Sequence, residues 1–282
     1  MVADEPTAPS RSSGPADPSA PELASGRLVV VVPTLDEAAA LPALLGRLVG
    51  AGSVPSDGPT ASWHDLADLL VVADGGSTDG TRRLAKDAGA EVLDAPPGRG
   101  HQLRAGGERA LELLGEPSPD DLLLFLHADN LPEPGALAAL RSAAATSGTE
   151  AFALSQRIDA PGRFFRLVER AADRRVARGE VLGDSGLAVR ATAYRAVGGY
   201  APLPLFEDLD LSKRLARRSG IQVVEDARLS VCARRWKREG ALRATLRNRI
   251  LTLAWRLGVS PERLVRWYPR HRAERPDHAD RP

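Results

Sequence analysis

Three residues, His127-Ala128-Asp129, follow directly on the apolar run 122–126. A carboxylate at the carboxyl end of a buried strand is where α/β proteins hold metals and phosphates. Two further acidic clusters stand in comparable positions: Thr34-Leu35-Asp36-Glu37 after the apolar run 28–33, and Asp74-Gly75-Gly76-Ser77-Thr78-Asp79-Gly80 after the run 69–72. A fourth, Glu207-Asp208, follows Phe206. Four acidic clusters at strand ends or loops point to one shared pocket. Phosphates held beside carboxylates require a cation, and Mn²⁺ or Mg²⁺ bound through one or two carboxylates plus substrate oxygens meets that need, with Asp129 as the ligand. His127 is read as a structural or ribose-contacting histidine, because hard cations prefer oxygen.

Each cluster also has a plainer reading. Asp129-Asn130 fits a turn ahead of Pro132, and Gly183-Asp184-Ser185-Gly186 fits either an acceptor-side turn or an ordinary β-turn. Glu207-Asp208 fits the acidic first turn of a helix that continues as Leu209-Asp210-Leu211. Arg235-Trp236 offers a charged donor beside a stacking plane for phosphate or acceptor, or simply a core tryptophan.

The elements that must position these residues alternate. Strands are expected at 28–33, 69–73, 90–94 and 121–126, and helices at about 36–49, 79–88, 100–114 and 134–145, the mark of βαβ units around a mostly parallel, Rossmann-like sheet. After residue 150 the pattern is mixed: strands near 151–155, 186–189, 221–224 and 228–233, and helices around 163–178 and 207–218. Residues 240–257 place Leu242, Leu246, Ile250, Leu253 and Leu257 at three- and four-residue steps among arginines, predicting a basic amphipathic helix. Its apolar stripe either packs on the body, with Leu246 and Ile250 inward, or docks by one edge and leaves Trp255, Arg256 and Trp267 toward a bilayer.

The 282 residues, 43% hydrophobic and 27% charged, suffice for one large domain or for one domain with an appendage. Residues 1–25, dense in Pro, Ser, Ala and Gly, read as a disordered leader rather than a signal peptide. The single cysteine, Cys232, excludes an internal disulfide framework and a cysteine-rich zinc site. No apolar run approaches the roughly 18 residues that a membrane-spanning helix needs. The net charge of +1 hides an asymmetry, because residues 228–275 hold 14 Lys/Arg against 3 Asp/Glu, a net of +11. Such a tail fits anionic lipid, a phosphorylated substrate or nucleic acid, and equally a solvated arginine-rich face. The first strand-to-helix turn lacks GxGxxG and the chain lacks GxxxxGK[ST], which argues against hydride transfer and P-loop chemistry. Acidic side chains in that turn instead suit a nucleobase or ribose.

Taken in order, Pro33-Thr34-Leu35-Asp36-Glu37, Asp74-Gly75-Gly76-Ser77-Thr78-Asp79-Gly80-Thr81, Gly98-Arg99-Gly100-His101-Gln102, His127-Ala128-Asp129, Gly183-Asp184-Ser185-Gly186, Glu207-Asp208 and Arg235-Trp236 resemble the family 2 glycosyltransferases of the GT-A fold. Within that family the chain is most similar to small bacterial transferases of the radical-SAM and selenodomain-associated, or carotenoid-acid glycosyltransferase-like, group. The resemblance implies an α/β GT-A domain over 26–235, with a nucleotide-sugar half (26–150) and an acceptor half (151–235), then basic amphipathic helices (236–268) and a disordered tail (269–282). It implies donor contacts at Thr34, Glu37, Asp74, Gly76, Arg99, His127, Ala128 and Asp129, with Asp129 as the Mn²⁺ or Mg²⁺ ligand. It makes Asp208 the catalytic base, and puts Asp184, Glu207, Arg235 and Trp236 on the acceptor or phosphate side. His127 departs from the family's usual first aspartate of DxD. Cys232 stands where processive members carry the Gln of QxxRW, so a single-transfer enzyme is implied. The reaction would invert the sugar's anomeric centre, passing it from a nucleoside-diphosphate sugar to a hydroxyl or carboxyl acceptor, a small molecule or a lipid-like one such as a carotenoid acid or polyprenyl carrier. The expected setting is the cytoplasm, with peripheral contact to an anionic membrane surface and no nucleic-acid partner. A nucleotidyltransferase, or a catalytically silent nucleotide-sugar-binding protein of the same fold, are the alternatives.

Overall fold

A computed structural model describes residues 26–49, 67–231 and 241–268. The expected leader, the tail 269–282, Cys232, Arg235 and Trp236 lie outside the described residues. The first strand, β1 (Leu28–Thr34), is buried at every position, as a valine-rich strand covered on both faces must be. It pairs in parallel with β2 (Leu69–Asp74) on one side and β4 (Leu122–Phe125) on the other, and β2 pairs with β3 (Glu91–Asp94). Alternate side chains serve opposite faces. Leu28, Val30 and Val32 pack with Leu41, Leu44 and Leu48 of α1 (Leu41–Leu48) and with Leu137 and Leu140 of α4 (Ala136–Thr146). Val29 and Val31 face Leu103, Ala110 and Leu114 of α3 (Arg99–Leu114). At Gly106 of α3 a Cβ would stand 2.5 Å from Val31 Cγ1, so this glycine is what lets the helix lie close on β1. The short α2 (Thr81–Asp87) completes the first half.

The second half extends the same sheet. Strand β7 (Leu187–Arg190) pairs antiparallel with β4 and with β6 (Ala151–Ile158), β6 pairs in parallel with β8 (Gln222–Val231), and β5 (Asn130–Pro132) closes the edge. The eight strands run β3-β2-β1-β4-β7-β6-β8-β5, flanked by α5 (Arg163–Val176), α6 (Ala191–Ala196) and α7 (Glu207–Ser219).

Several boundaries differ from the sequence expectation. The first helix starts at Leu41 rather than near residue 36, because residues 36–38 are bound to the loop after β2. Asn130–Pro132 is strand rather than the start of a turn, since its backbone pairs with Leu229–Val231. The two strands expected near 221–224 and 228–233 are one strand whose register on β6 jumps from Leu154↔Val224 to Ser155↔Arg228, leaving Glu225-Asp226-Ala227 as a bulge.

The predicted C-terminal helix forms as α8 (Ala241–Arg256), followed by α9 (Pro261–Leu264). It packs by the face opposite to the expected one. Leu251 and Leu264 are buried against Leu205, Phe206 and Leu209, with Ala254 and Trp255 beside them, while Leu246, Ile250, Leu253 and Leu257 are exposed. Trp255 lies against Phe206 and under Lys213 Nζ, 3.9 Å from the ring centroid, and Arg256 pairs with Glu180. Both side chains therefore engage the body instead of pointing away from it. The side chain of Leu242 lies outside the described ones.

Candidate active site

The parallel strands end together. Thr34 and Asp74 are register partners at the ends of β1 and β2, and Leu126 N–H donates to Val31 O, so residues 127–129 emerge at the same edge. Because β7 runs antiparallel to β4 with Leu187 opposite Phe125, the 3₁₀ turn Gly183–Ser185 is delivered to that edge too.

On the β1/β2 side, the Asp74 carboxylate is fully buried. Its Oδ1 accepts from Thr34 Oγ1 at 3.0 Å, and its Oδ2 accepts from the Gly76 and Ser77 N–H groups at 3.1 and 2.9 Å, with Arg82 Nη1 at 3.3 Å. Burial pushes its pKa up, but the Ser77, Thr34 and Gly76 bonds outweigh burial and hold it below the usual carboxylate range. Asp74 thus spends its lone pairs on its own loop, and Gly76, whose N–H it takes, serves that loop as well. Two residues that the sequence reading left out of the site stitch this loop to the one after β1. Asp36, at φ +54°, accepts from Thr78 N–H at 2.8 Å and donates its own N–H to Ser77 Oγ at 2.9 Å. Asp79 accepts from Ala38 N–H at 2.9 Å, while Glu37 N–H donates to Thr81 Oγ1 at 2.9 Å. Gln102, buried on α3, donates to the Thr34 and Ala73 carbonyls. All three stand in the quoted motifs; for Asp36 and Asp79 the signal was an Asp beside Gly, Ser and Thr, a turn-forming group as readily as a ligand contact.

The α7 side is built differently. Phe206, at φ +65°, reverses the chain so that Glu207 and Asp208 point inward from the first turn of α7; the side chains are 2% and 5% exposed. Arg99, at the start of α3, forms an ion pair with Glu207, and its Nη2 lies 3.9 Å from Asp208 Oδ2. The expected phosphate contact is therefore engaged with carboxylates. Asp208 Oδ2 accepts from Gly183 N–H at 2.6 Å and Oδ1 accepts from Leu209 N–H at 2.8 Å. Burial and the neighbouring Glu207 charge push Asp208 up to about 7, against the pull of Arg99 and the two N–H donors. His127 is pushed down to about 3 by burial and by the Arg99 charge, so it is a neutral imidazole. A Cβ on Gly183 would meet the His127 ring at 2.5 Å and Asp208 Oδ2 at 3.5 Å; glycine is what lets the three residues converge. A small cavity is lined by His127, Gly183, Tyr200, Glu207 and Asp208. Tyr200, missed in the sequence, is buried edge-on to Phe125 at 4.9 Å.

Along the segment after β4 the residues part company. Ala128 is buried in the core with Leu126 and Leu137, so its side chain does not line the cleft as expected. Asn130 is buried and donates to Gly183 O at 3.2 Å. Asp129 is exposed. Among the described residues no group of three or more His, Cys, Asp or Glu forms a metal cage. One exposed carboxylate fits a cation whose remaining ligands are substrate oxygens and water. Asp184 contributes backbone to the Gly183–Ser185 turn.

A parallel nucleotide-type half continued by an antiparallel strand into a mixed second half, with a carboxylate after the fourth strand, defines the GT-A glycosyltransferase fold. Solved structures share it. Glucosyl-3-phosphoglycerate synthase from Mycobacterium tuberculosis, in complex with Mn²⁺, UDP and phosphoglyceric acid, aligns with a TM-score of 0.50 and 25% identity over 84% of this chain and 80% of its own. The mannosyltransferase PcManGT from Pyrobaculum calidifontis, with GDP-Man and Mn²⁺, aligns at a TM-score of 0.55 and 21% identity over 84% of this chain and 66% of its own. S. aureus TarS aligns at 0.55 and 15% identity, over 73% of this chain and 36% of its own. No protein-family model matches the sequence, and no curated protein does.

Proposed function

We propose that this protein is an inverting, metal-assisted family 2 glycosyltransferase that passes a sugar from a nucleoside-diphosphate sugar to a hydroxyl or carboxyl acceptor. The observation that carries the reading is Asp208: a buried carboxylate pushed up to about 7, facing the cavity that His127 also lines, beside a strand end bearing an exposed Asp129. A general base works best with a pKa near the operating pH. Glu37 and the loop held by Asp74 would receive the nucleoside, with Thr34 and Gly76 shaping that loop. Asp208 takes the acceptor proton as the acceptor oxygen attacks the anomeric carbon. The bond from that carbon to the diphosphate oxygen breaks, its electron pair leaving with the nucleoside diphosphate. Mn²⁺ or Mg²⁺ held by Asp129 would offset the charge growing on that leaving group. Neutral His127 contributes a hydrogen-bonding edge without adding charge, and Arg99, tied to Glu207, keeps the second carboxylate from raising Asp208 further.

The similarity to a synthase solved with UDP, Mn²⁺ and phosphoglyceric acid supports a nucleotide-sugar donor and a divalent cation. For the acceptor, the resemblance to the carotenoid-acid transferase-like group favours a lipid-like molecule handled at the cytoplasmic face of a membrane, with residues 26–235 as the catalytic unit. The test is turnover of UDP- and GDP-sugars by the purified protein with Mn²⁺, with release of free nucleoside diphosphate as the expected product. Pyrophosphate release would establish nucleotidyl transfer instead, and donor binding without turnover would establish a silent binding protein. Asp129→Asn should abolish the dependence of donor affinity on Mn²⁺. Equal metal dependence in the variant and the wild type would remove Asp129 from the site.

A further inference from the structure

The C-terminal helix presents a continuous exposed apolar surface. Leu246, Ile250, Leu253 and Leu257, spaced four, three and four residues apart along α8, are 56%, 53%, 56% and 78% exposed, and Trp267 is 69% exposed. These positions form one stripe on one face of the helix. The opposite face is already occupied, with Leu251 and Trp255 packed on Leu205, Phe206 and Leu209, so the stripe is left over after docking. At one end it opens into an apolar groove lined by Leu246, Ile250, Leu251, Arg247 and Trp267. Contiguous exposed apolar surface of this kind marks a binding site. The two terminal segments offer little to cover it by composition: 269–282 contains no large apolar side chain, and 1–25 holds only Met1, Val2 and Leu23.

Charge decides what does cover it. Residues 241–268 carry six arginines and one acidic residue, Glu262, and Arg249, Arg263 and Arg266 are exposed around the stripe. A second copy of the chain docking through a two-fold axis would set this patch against itself, bringing arginines against arginines. An anionic bilayer is complementary in both respects: the leucines, isoleucine and tryptophan enter the boundary between headgroups and acyl chains while the arginines meet lipid phosphates and carboxylates. No described helix is long and apolar enough to cross a membrane, so the contact is one of lying on the surface.

We propose that the stripe Leu246–Ile250–Leu253–Leu257 with Trp267 is a docking face for anionic membrane. The face is one packing layer from the Glu207-Asp208 turn, because Leu251 and Trp255 lie on Phe206, whose chain reversal aims those two carboxylates inward. A protein held on a bilayer by this face thus has its acceptor side near the lipid surface. The docking itself requires no property of the donor site.

The experiment is co-sedimentation of the full chain with phosphatidylcholine vesicles, with and without phosphatidylserine, at low and high salt. Binding is expected to the anionic vesicles at low salt and to weaken as salt screens the arginines. The double variant Ile250→Glu/Leu253→Glu should weaken it at least roughly ten-fold by removing the buried apolar area, with an unchanged melting temperature because both side chains are exposed. Arg249→Glu/Arg266→Glu should cost roughly five-fold per arginine on anionic vesicles alone. Equal sedimentation of the wild type and the Ile250→Glu/Leu253→Glu variant overturns the proposal. So does a solution dimer that this variant disperses without any vesicle binding, which would give the face to a second copy. Donor hydrolysis measured without vesicles separates the two readings: turnover without vesicle binding defeats the docking face alone, and vesicle binding without turnover defeats the transferase alone.

Discussion

The two acidic clusters that flank the cleft are made from the same residue types and end in opposite states. Around Asp74, every carboxylate oxygen accepts from a backbone N–H, a hydroxyl or Arg82, and its pKa falls below the ordinary range. Around Asp208, two carboxylates share one arginine in a buried turn, and Asp208 rises to about 7. Burial acts in the same direction at both sites. The difference is in the balance around the buried charge: at Asp74 the donors outweigh burial, and at Asp208 two N–H donors and Arg99 do not offset burial and the like charge of Glu207. The donor-rich cluster shapes a loop, and the crowded one has a proton to exchange near neutral pH. An acidic residue at a strand end or helix start is therefore not in itself a catalytic group.

The sharpest way to break this contrast is Asp208→Asn, which should lower turnover by roughly 10² to 10⁴-fold, as loss of a general base does, while the circular-dichroism spectrum and donor affinity stay as in the wild type. Turnover near wild type in steady-state kinetics would place the base elsewhere. Asp74→Ala should act through stability, because it strands the Thr34, Gly76 and Ser77 donors in a buried loop. The expected loss is about 1–3 kcal/mol in urea denaturation, accompanied by weaker nucleotide binding. A variant as stable as the wild type would show that the loop does not depend on that carboxylate.

The smallest expected effect is in pH dependence, where the two clusters should slope in opposite directions. Turnover should climb as pH rises through about 7, where Asp208 becomes ionised, and the midpoint should move down in Glu207→Gln, since the repelling charge is gone. For stability, Asp208 has a raised folded pKa, so the folded state binds more protons than the unfolded one between about 4 and about 7 and stability declines as pH rises through that window. Asp74 has a depressed folded pKa, so its contribution is present above the unfolded value near 4 and is lost as pH falls through the folded one. Melting temperatures across this range should lose their decline in Asp208→Asn. An unchanged decline in that variant would assign the slope to another group.

How much of this was legible in the residues varies with the range of the interaction. The valine-rich β1, the alternation of strands and helices up to residue 146, and the acidic groups after β1, β2 and β4 are local patterns; the alternation predicted the mostly parallel α/β first half that the structure shows, and the GT-A class came from the resemblance of the motifs in order. The three-residue β5 and six-residue α6 carry too little periodicity to register, and the bulge at 225–227 looked like a break between two strands. Asp36 and Gln102 stood in motifs whose chemistry was visible but whose partners, across 42 and 68 residues, were not.

The sequence by itself determined where the longer strands and helices would lie, that carboxylates would gather at one edge of a parallel sheet, and that the C-terminal helix would be basic and apolar on a stripe, because each of these follows from residue type and spacing along one element. Only the tertiary structure decided which carboxylate would be saturated and which left crowded, since Arg99 meets Glu207 across 108 residues and Gly183 meets Asp208 across 25. It also decided which side of α8 would be spent on the core. Leu251 and Trp255 offer one apolar face and Leu246, Ile250, Leu253 and Leu257 another. The choice between them rests on the shape of the Leu205–Leu209 surface they meet, which no periodicity within the helix records.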